Sequence, residues 1–115
     1  MREVRWIGSS REDLMAMPRE VVTEFGHGLY VAQMGDHPDG AKPLTGFGAA
    51  VFELIERHDG DTYRAVYTLR HADAIYVLHC FQKKSPRGSE LPRPDRNLID
   101  RRLKAARQDA EGRPK

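Results

Sequence analysis

The sequence predicts an α+β domain, a mostly antiparallel sheet with helices laid on it. Three observations carry this. Residues 50–82 hold three strand-like runs separated by turn signals. Residues 10–35 carry apolar side chains at helical spacing, with a proline inside the pattern. Residues 95–107 form a further amphipathic stretch, with one apolar stripe and basic residues elsewhere.

The elements follow in order. Val4 and Trp6 alternate with Arg5, which reads as a short strand stopped by Gly8-Ser9-Ser10. Ser10 is a suitable N-cap, with Asp13 three residues on in place of a capping-box Glu. Leu14, Met17, Val21 and Phe25 recur at helical spacing, and Pro18 divides them or starts a second piece. Gly26 and Gly28 read as C-terminal punctuation, after which Leu29, Tyr30, Ala32 and Met34 carry a second short helix to Gly35. A helical hairpin is therefore expected. Asp36 to Gly48 holds Pro38, Gly40, Pro43, Gly46 and Gly48 and is expected to be a loop.

Three strands come next. Ala50 to His58 places Phe52 and Leu54 on one face, Glu53 and Arg57 on the other. Asp59-Gly60-Asp61 is a hairpin signal. Thr62 to Arg70 puts Tyr63, Ala65, Tyr67 and Leu69 opposite Arg64, Val66, Thr68 and Arg70. Ala74 to Gln82 is nearly all apolar, as a strand covered on both faces requires. Asp95 is placed to cap a last helix, whose stripe is Leu98, Ile99, Leu103 and Ala106. The expected fold is an N-terminal strand, a helical hairpin, a three-stranded antiparallel meander completing a four-stranded sheet, and a C-terminal helix. Residues 1–115 read as one domain, with 108–115 as a frayed tail.

Composition narrows the function classes. The chain is 39% hydrophobic and 31% charged, ordinary for a globular protein. The lone Cys80 cannot form an internal disulfide, which fits a reducing cytoplasm. No run has the length of a membrane span, and no signal peptide is evident, so no membrane partner is expected. The net charge of +2 is unevenly spread. Residues 1–82 carry eight Lys and Arg against twelve Asp and Glu, whereas residues 83–115 carry eleven against five. A concentrated basic segment is the footprint of a protein that meets phosphates, or of a solvated tail.

Several segments together resemble a known family. They are Lys42-Pro43-Leu44-Thr45-Gly46-Phe47-Gly48, Phe52-Glu53-Leu54, Asp61-Thr62-Tyr63-Arg64-Ala65-Val66-Tyr67 and Tyr76-Val77-Leu78-His79-Cys80-Phe81-Gln82-Lys83-Lys84. With the opening Trp6 to Ser10 and the Leu98 to Ala106 helix, the chain resembles the phage-derived, HigB-like branch of the RelE/ParE toxin superfamily. The resemblance implies a RelE-like fold and the toxin of a type II toxin–antitoxin pair. It further implies a ribosome-dependent mRNA endonuclease, neutralised by a cognate antitoxin, often a helix-turn-helix DNA-binding protein. Arg64, Lys83 and Lys84 match the family's basic site positions, and Lys42 matches less closely.

The chemistry can be read from the residues. Cleavage by 2′-hydroxyl attack needs a base, a cationic clamp and an acid, and no cofactor. Arg64 suits the clamp because its planar fork meets phosphate oxygens in pairs; the alternative is a cross-hairpin pair with Glu53 or Glu56. Lys83 and Lys84, next to Arg87, suit the RNA backbone, and either lysine could act as acid or base if neighbouring cations depress its pKa; the alternative is a pair that protects or solubilises a strand end. Lys42, Arg70 and Arg87 are further RNA-binding candidates. His79 is the acid–base type, yet it shares its expected face with Ile75, Val77 and Phe81, which favours a core role. Tyr67 is expected in the core. His27, His37, His58 and His71 lack metal-ligand spacing, and no metal site is expected. The competing function is a non-enzymatic interaction protein, either a gyrase-inhibitor-like relative or a degenerate toxin that only binds its antitoxin.

Overall fold

The computed structural model describes residues 1–71, 73–83 and 91–112, the side chains of Arg70 and His71 excepted. It contains strands β1 (Glu3–Trp6), β2 (Lys42–Leu44), β3 (Val51–His58), β4 (Asp61–His71) and β5 (Ala74–Lys83). The helices are α1 (Ser10–Met15), α2 (Arg19–Gln33) and α3 (Arg93–Glu111). The strands form one sheet in the order β1-β5-β4-β3-β2. β1 runs parallel to β5, and the other neighbours are antiparallel.

The sheet has five strands rather than the expected four. The extra one is β2, inside the segment expected to be a loop. Its register pairs Lys42 with Glu53, Pro43 with Phe52 and Leu44 with Val51. Proline is tolerated there because β2 is an edge strand, where a missing N–H costs no ladder bond on the open side. The β3–β4 hairpin turns through Asp59 and Gly60, both at positive φ (50° and 82°), as a two-residue turn demands.

Helices cover both faces. Leu14 of α1 and Val21, Phe25 and Leu29 of α2 pack on Leu54, Tyr67, Ile75 and Val77. On the opposite face, Ile99, Leu103 and Ala106 of α3 pack on Val51, Val66, Tyr76 and Leu78. Each large side chain so buried contributes about 1.5–3 kcal/mol. β5 is accordingly buried on both faces, as its apolar run predicts. The Tyr76 hydroxyl ties β5 to β1 and to α3, accepting from Arg5 Nη1 (2.8 Å) and donating to Asp109 Oδ2 (2.7 Å).

The helical region differs from expectation in its break. The chain divides at Pro18, and α2 then runs unbroken through Gly26 and Gly28. Gly28 is a close-approach residue: a Cβ there would lie 2.9 Å from Leu54 Cδ1. The expected cap also shifts. Ser9 is the N-cap of α1, and its Oγ donates to Asp13 Oδ2 rather than to a backbone group. Ser10 lies inside the helix and is fully buried, its Oγ donating to Val77 O.

Candidate functional site

α3 lies on one face of the sheet. Its first turn lies beside His79, and its length runs back over Leu78 and Tyr76. On the same face β3, β4 and β5 carry Glu53, Arg64 and Lys83, all three buried. Cross-strand register explains the grouping. Ile55 lies opposite Arg64, and Arg64 opposite Phe81, while Lys42 on the edge strand lies opposite Glu53.

Arg64 is 3% exposed and Glu53 4% exposed. Arg64 Nη1 donates to Glu53 Oε2 at 2.9 Å. Of the two carboxylates that the sequence leaves open as its partner, Glu53 is chosen because Glu56 points to the α2 face, opposite Tyr63. There burial, with Glu24 nearby, pushes the Glu56 carboxyl up. Among the described residues the Nε of Arg64 is a buried donor with no acceptor. Lys83 is also buried, and burial together with the Arg64 charge pushes its ammonium pKa down, against the opposing pull of Glu53. Lys42 is exposed.

His79 sits where the sequence pattern misplaces it. The β4–β5 register shifts between Val66 and Tyr67, so that Val66 faces His79 while Tyr67 faces Val77. The extra residue, Leu78, breaks the alternation, as a β-bulge does. His79 therefore does not share the face of Ile75 and Val77; it turns toward α3. Its Nε2 lies 2.7 Å from Asp95 Oδ1, and its ring stacks on Phe81 at 4.4 Å. Burial lowers the His79 pKa more than the Asp95 hydrogen bond and charge raise it. Asp95, expected as a helix cap, lies in the first turn of α3 and serves as this partner; Pro92 occupies the cap position.

A groove of about 550 Å³ opens beside the Glu53–Arg64 pair, between β2, β3 and the start of α3. Lys42, Leu44, Glu53, Ile55, Leu91 and Arg96 line it. Arg96 is fixed at its rim by a 2.9 Å hydrogen bond to Thr45 O and by lying 4.6 Å above the Phe47 ring. Gly46, at φ +91°, leaves room for that guanidinium, which a Cβ would strike.

The family model described as phage-derived protein Gp49-like (DUF891) matches residues 12–104. The chain belongs to this family. The matched span runs from α1 to α3 and includes Lys42, Glu53, Arg64, His79, Lys83, Asp95 and Arg96. No curated protein matches the chain.

In this Gp49-like protein, the sheet brings Lys42, Arg64 and Lys83 around Glu53. Lys84 and Arg87 lie outside the described residues, as does the side chain of Arg70. Tyr67 is a core residue, 1% exposed and stacked on Phe52, with burial pushing its hydroxyl up to about 12. Cys80 is buried, its thiol likewise pushed up to about 12. Among the described residues no cluster of His, Cys, Asp and Glu could hold a metal ion, and no helix is long and apolar enough to cross a membrane. Sequence reasoning missed Arg96 and gave Glu53 only a pairing role. The signal for both was weak: a cation on a basic helix, and a single acid on a strand.

Proposed function

We propose that this Gp49-like protein is a HigB-like toxin of the RelE superfamily, a cytoplasmic endoribonuclease that cuts mRNA on the ribosome and is neutralised by a cognate antitoxin. The observation that carries the reading is the state of Arg64. Its Nη1 is anchored by Glu53, while its Nε is a buried donor without an acceptor among the described residues. A guanidinium held at one corner and unsatisfied on the neighbouring edge is suited to a phosphate, whose oxygens accept two parallel N–H bonds.

The surrounding groups supply the remaining roles. In the proposed reaction the 2′-hydroxyl loses its proton and its oxygen attacks phosphorus. The bond to the 5′-oxygen breaks, and that oxygen takes up a proton. Glu53 holds the clamp in place, and a solvent water takes up the proton that the 2′-hydroxyl releases. Lys83, whose pKa is lowered by burial and by Arg64, gives up a proton more readily than an ordinary lysine and serves as the donor. Lys42, Lys84 and Arg87 hold the RNA backbone.

The second reading, a non-enzymatic toxin or antitoxin-binding relic, draws on the deep burial of Arg64, which is 3% exposed. Primer extension on a reporter mRNA after brief induction separates the two. The comparison is wild type against Arg64→Lys, which keeps the charge beside Glu53 and loses the fork. Cuts within translated codons that vanish in the variant support the endoribonuclease. Growth arrest with intact mRNA sinks it and puts the second reading first.

A further inference from the structure

The groove beside the clamp has its own chemistry. Leu44, Ile55 and Leu91 give it apolar walls, and all are half-buried. Its polar groups are few and held in place. Glu53 is oriented by Arg64, and Arg96 by Thr45 O and the Phe47 ring. Lys42 stands at the mouth, exposed. A volume of about 550 Å³ lies within the ~300–1,000 Å³ of small-ligand sites, which pair apolar walls with a few placed polar groups.

We propose that this groove is a nucleobase slot selective for guanine, with the Glu53 carboxylate as its reading group. This rests on the endoribonuclease reading for the identity of its natural ligand, RNA. An ionised carboxylate only accepts hydrogen bonds. Among the four RNA bases, guanine alone offers it two adjacent donors, N1–H and the N2 amine. Adenine and cytosine set an acceptor beside their amino group, and uracil flanks its N3–H with two carbonyls. Those acceptors face the carboxylate unfavourably. The apolar walls hold the flat ring, and the Arg96 guanidinium offers a plane on which a base can stack. Lys42 meets the attached phosphate.

The test is titration of the purified protein, followed by NMR, with guanosine, inosine, adenosine, cytidine and uridine monophosphates. Guanosine monophosphate is expected to bind about tenfold more tightly than the adenosine, cytidine and uridine forms, the discrimination of a good two-bond contact. Inosine monophosphate, which lacks the N2 amine, falls between. Glu53→Gln removes the guanine preference. Ile55→Trp, which fills the groove from β3 and leaves Glu53 and Arg64 in place, removes binding of all five and decides the matter if Glu53→Gln does not fold. Equal affinities, no binding of any nucleotide, or unchanged binding to folded Ile55→Trp would overturn the proposal. Because binding is read without cleavage, the two readings fail separately. Guanine-selective binding with no mRNA cutting in cells keeps the slot and removes the nuclease; mRNA cutting with equal nucleotide affinities does the reverse.

Discussion

Arg64 and Glu53 form an ion pair at 2.9 Å whose side chains are 4% and 5% exposed, on the face of the sheet that carries α3. At this depth the two charges depend on each other: removing Glu53 leaves Arg64 buried beside the like charge of Lys83, and removing Arg64 leaves Glu53 buried with Lys83 as its neighbouring cation. Arg64→Met or Glu53→Met alone is expected to cost about 3–5 kcal/mol, whereas the double variant returns most of the loss. Urea unfolding in a double-mutant cycle measures this directly. Single costs under about 1 kcal/mol would show that the pair is screened by water, as surface pairs are.

The pair was half legible in the sequence, and the reason is the period of a strand. Alternation puts Arg64 on the face turned away from Tyr63 and Tyr67, and Glu53 on the face turned away from Phe52 and Leu54, so both lie away from the apolar stripe of their strands. The same logic fails at His79, because one bulged residue, Leu78, shifts every later side chain of β5 to the other face. It fails again at β2, where Pro43 and the glycines after it mask three residues of edge strand. Gly26 and Gly28 mislead in the opposite sense. Read as punctuation, they lie inside α2, where Gly28 permits close approach to Leu54. The groove depends on Arg96 reaching Thr45, a contact across 51 residues that no local pattern encodes.

Those glycines give a paired prediction. A Cβ at Gly26 would meet nothing within 4 Å, and the position is exposed and helical. Gly26→Ala is expected to stabilise the protein by about 0.5–1 kcal/mol through backbone entropy. At Gly28 the same gain is opposed by displacement of the buried Leu54 side chain. Gly28→Ala should therefore give no increase in thermal midpoint, and a larger residue such as Val should lower it. An equal rise in both alanine variants would mean that Leu54 moves aside freely.

His79 links stability to pH. The ring donates from Nε2 to Asp95 when neutral, the tautomer that the hydrogen-bond network requires, and Nδ1 is buried without a partner among the described residues. Protonation would bury a second N–H with no acceptor. Burial holds the folded pKa below the ordinary 6.5, outweighing Asp95. The sign follows from linkage. Below pH 6.5 the unfolded chain takes up a proton that the folded ring refuses, so stability is complete above 6.5 and declines as pH falls toward the folded pKa. Between neutral pH and about pH 5, wild type should lose more stability than His79→Gln in chemical unfolding. A wild type that gains stability relative to the variant on acidification would mean that the His79–Asp95 ion pair outweighs burial.

Lys42 separates phosphate contact from structural support. It is exposed and lies opposite Glu53 on the edge strand. If it meets the RNA backbone, Lys42→Ala should weaken oligonucleotide binding and leave the thermal midpoint unchanged. The log of the binding constant against the log of salt concentration should lose about 0.7 of slope per single-strand phosphate contact removed. Lys42→Arg should restore the slope, since a backbone contact asks only for charge. Titrations at several salt concentrations with wild type and both variants read this out. A Lys42→Ala slope equal to wild type would move Lys42 off the RNA path and leave it as a solvated charge on the sheet edge, where lysine discourages pairing with other chains.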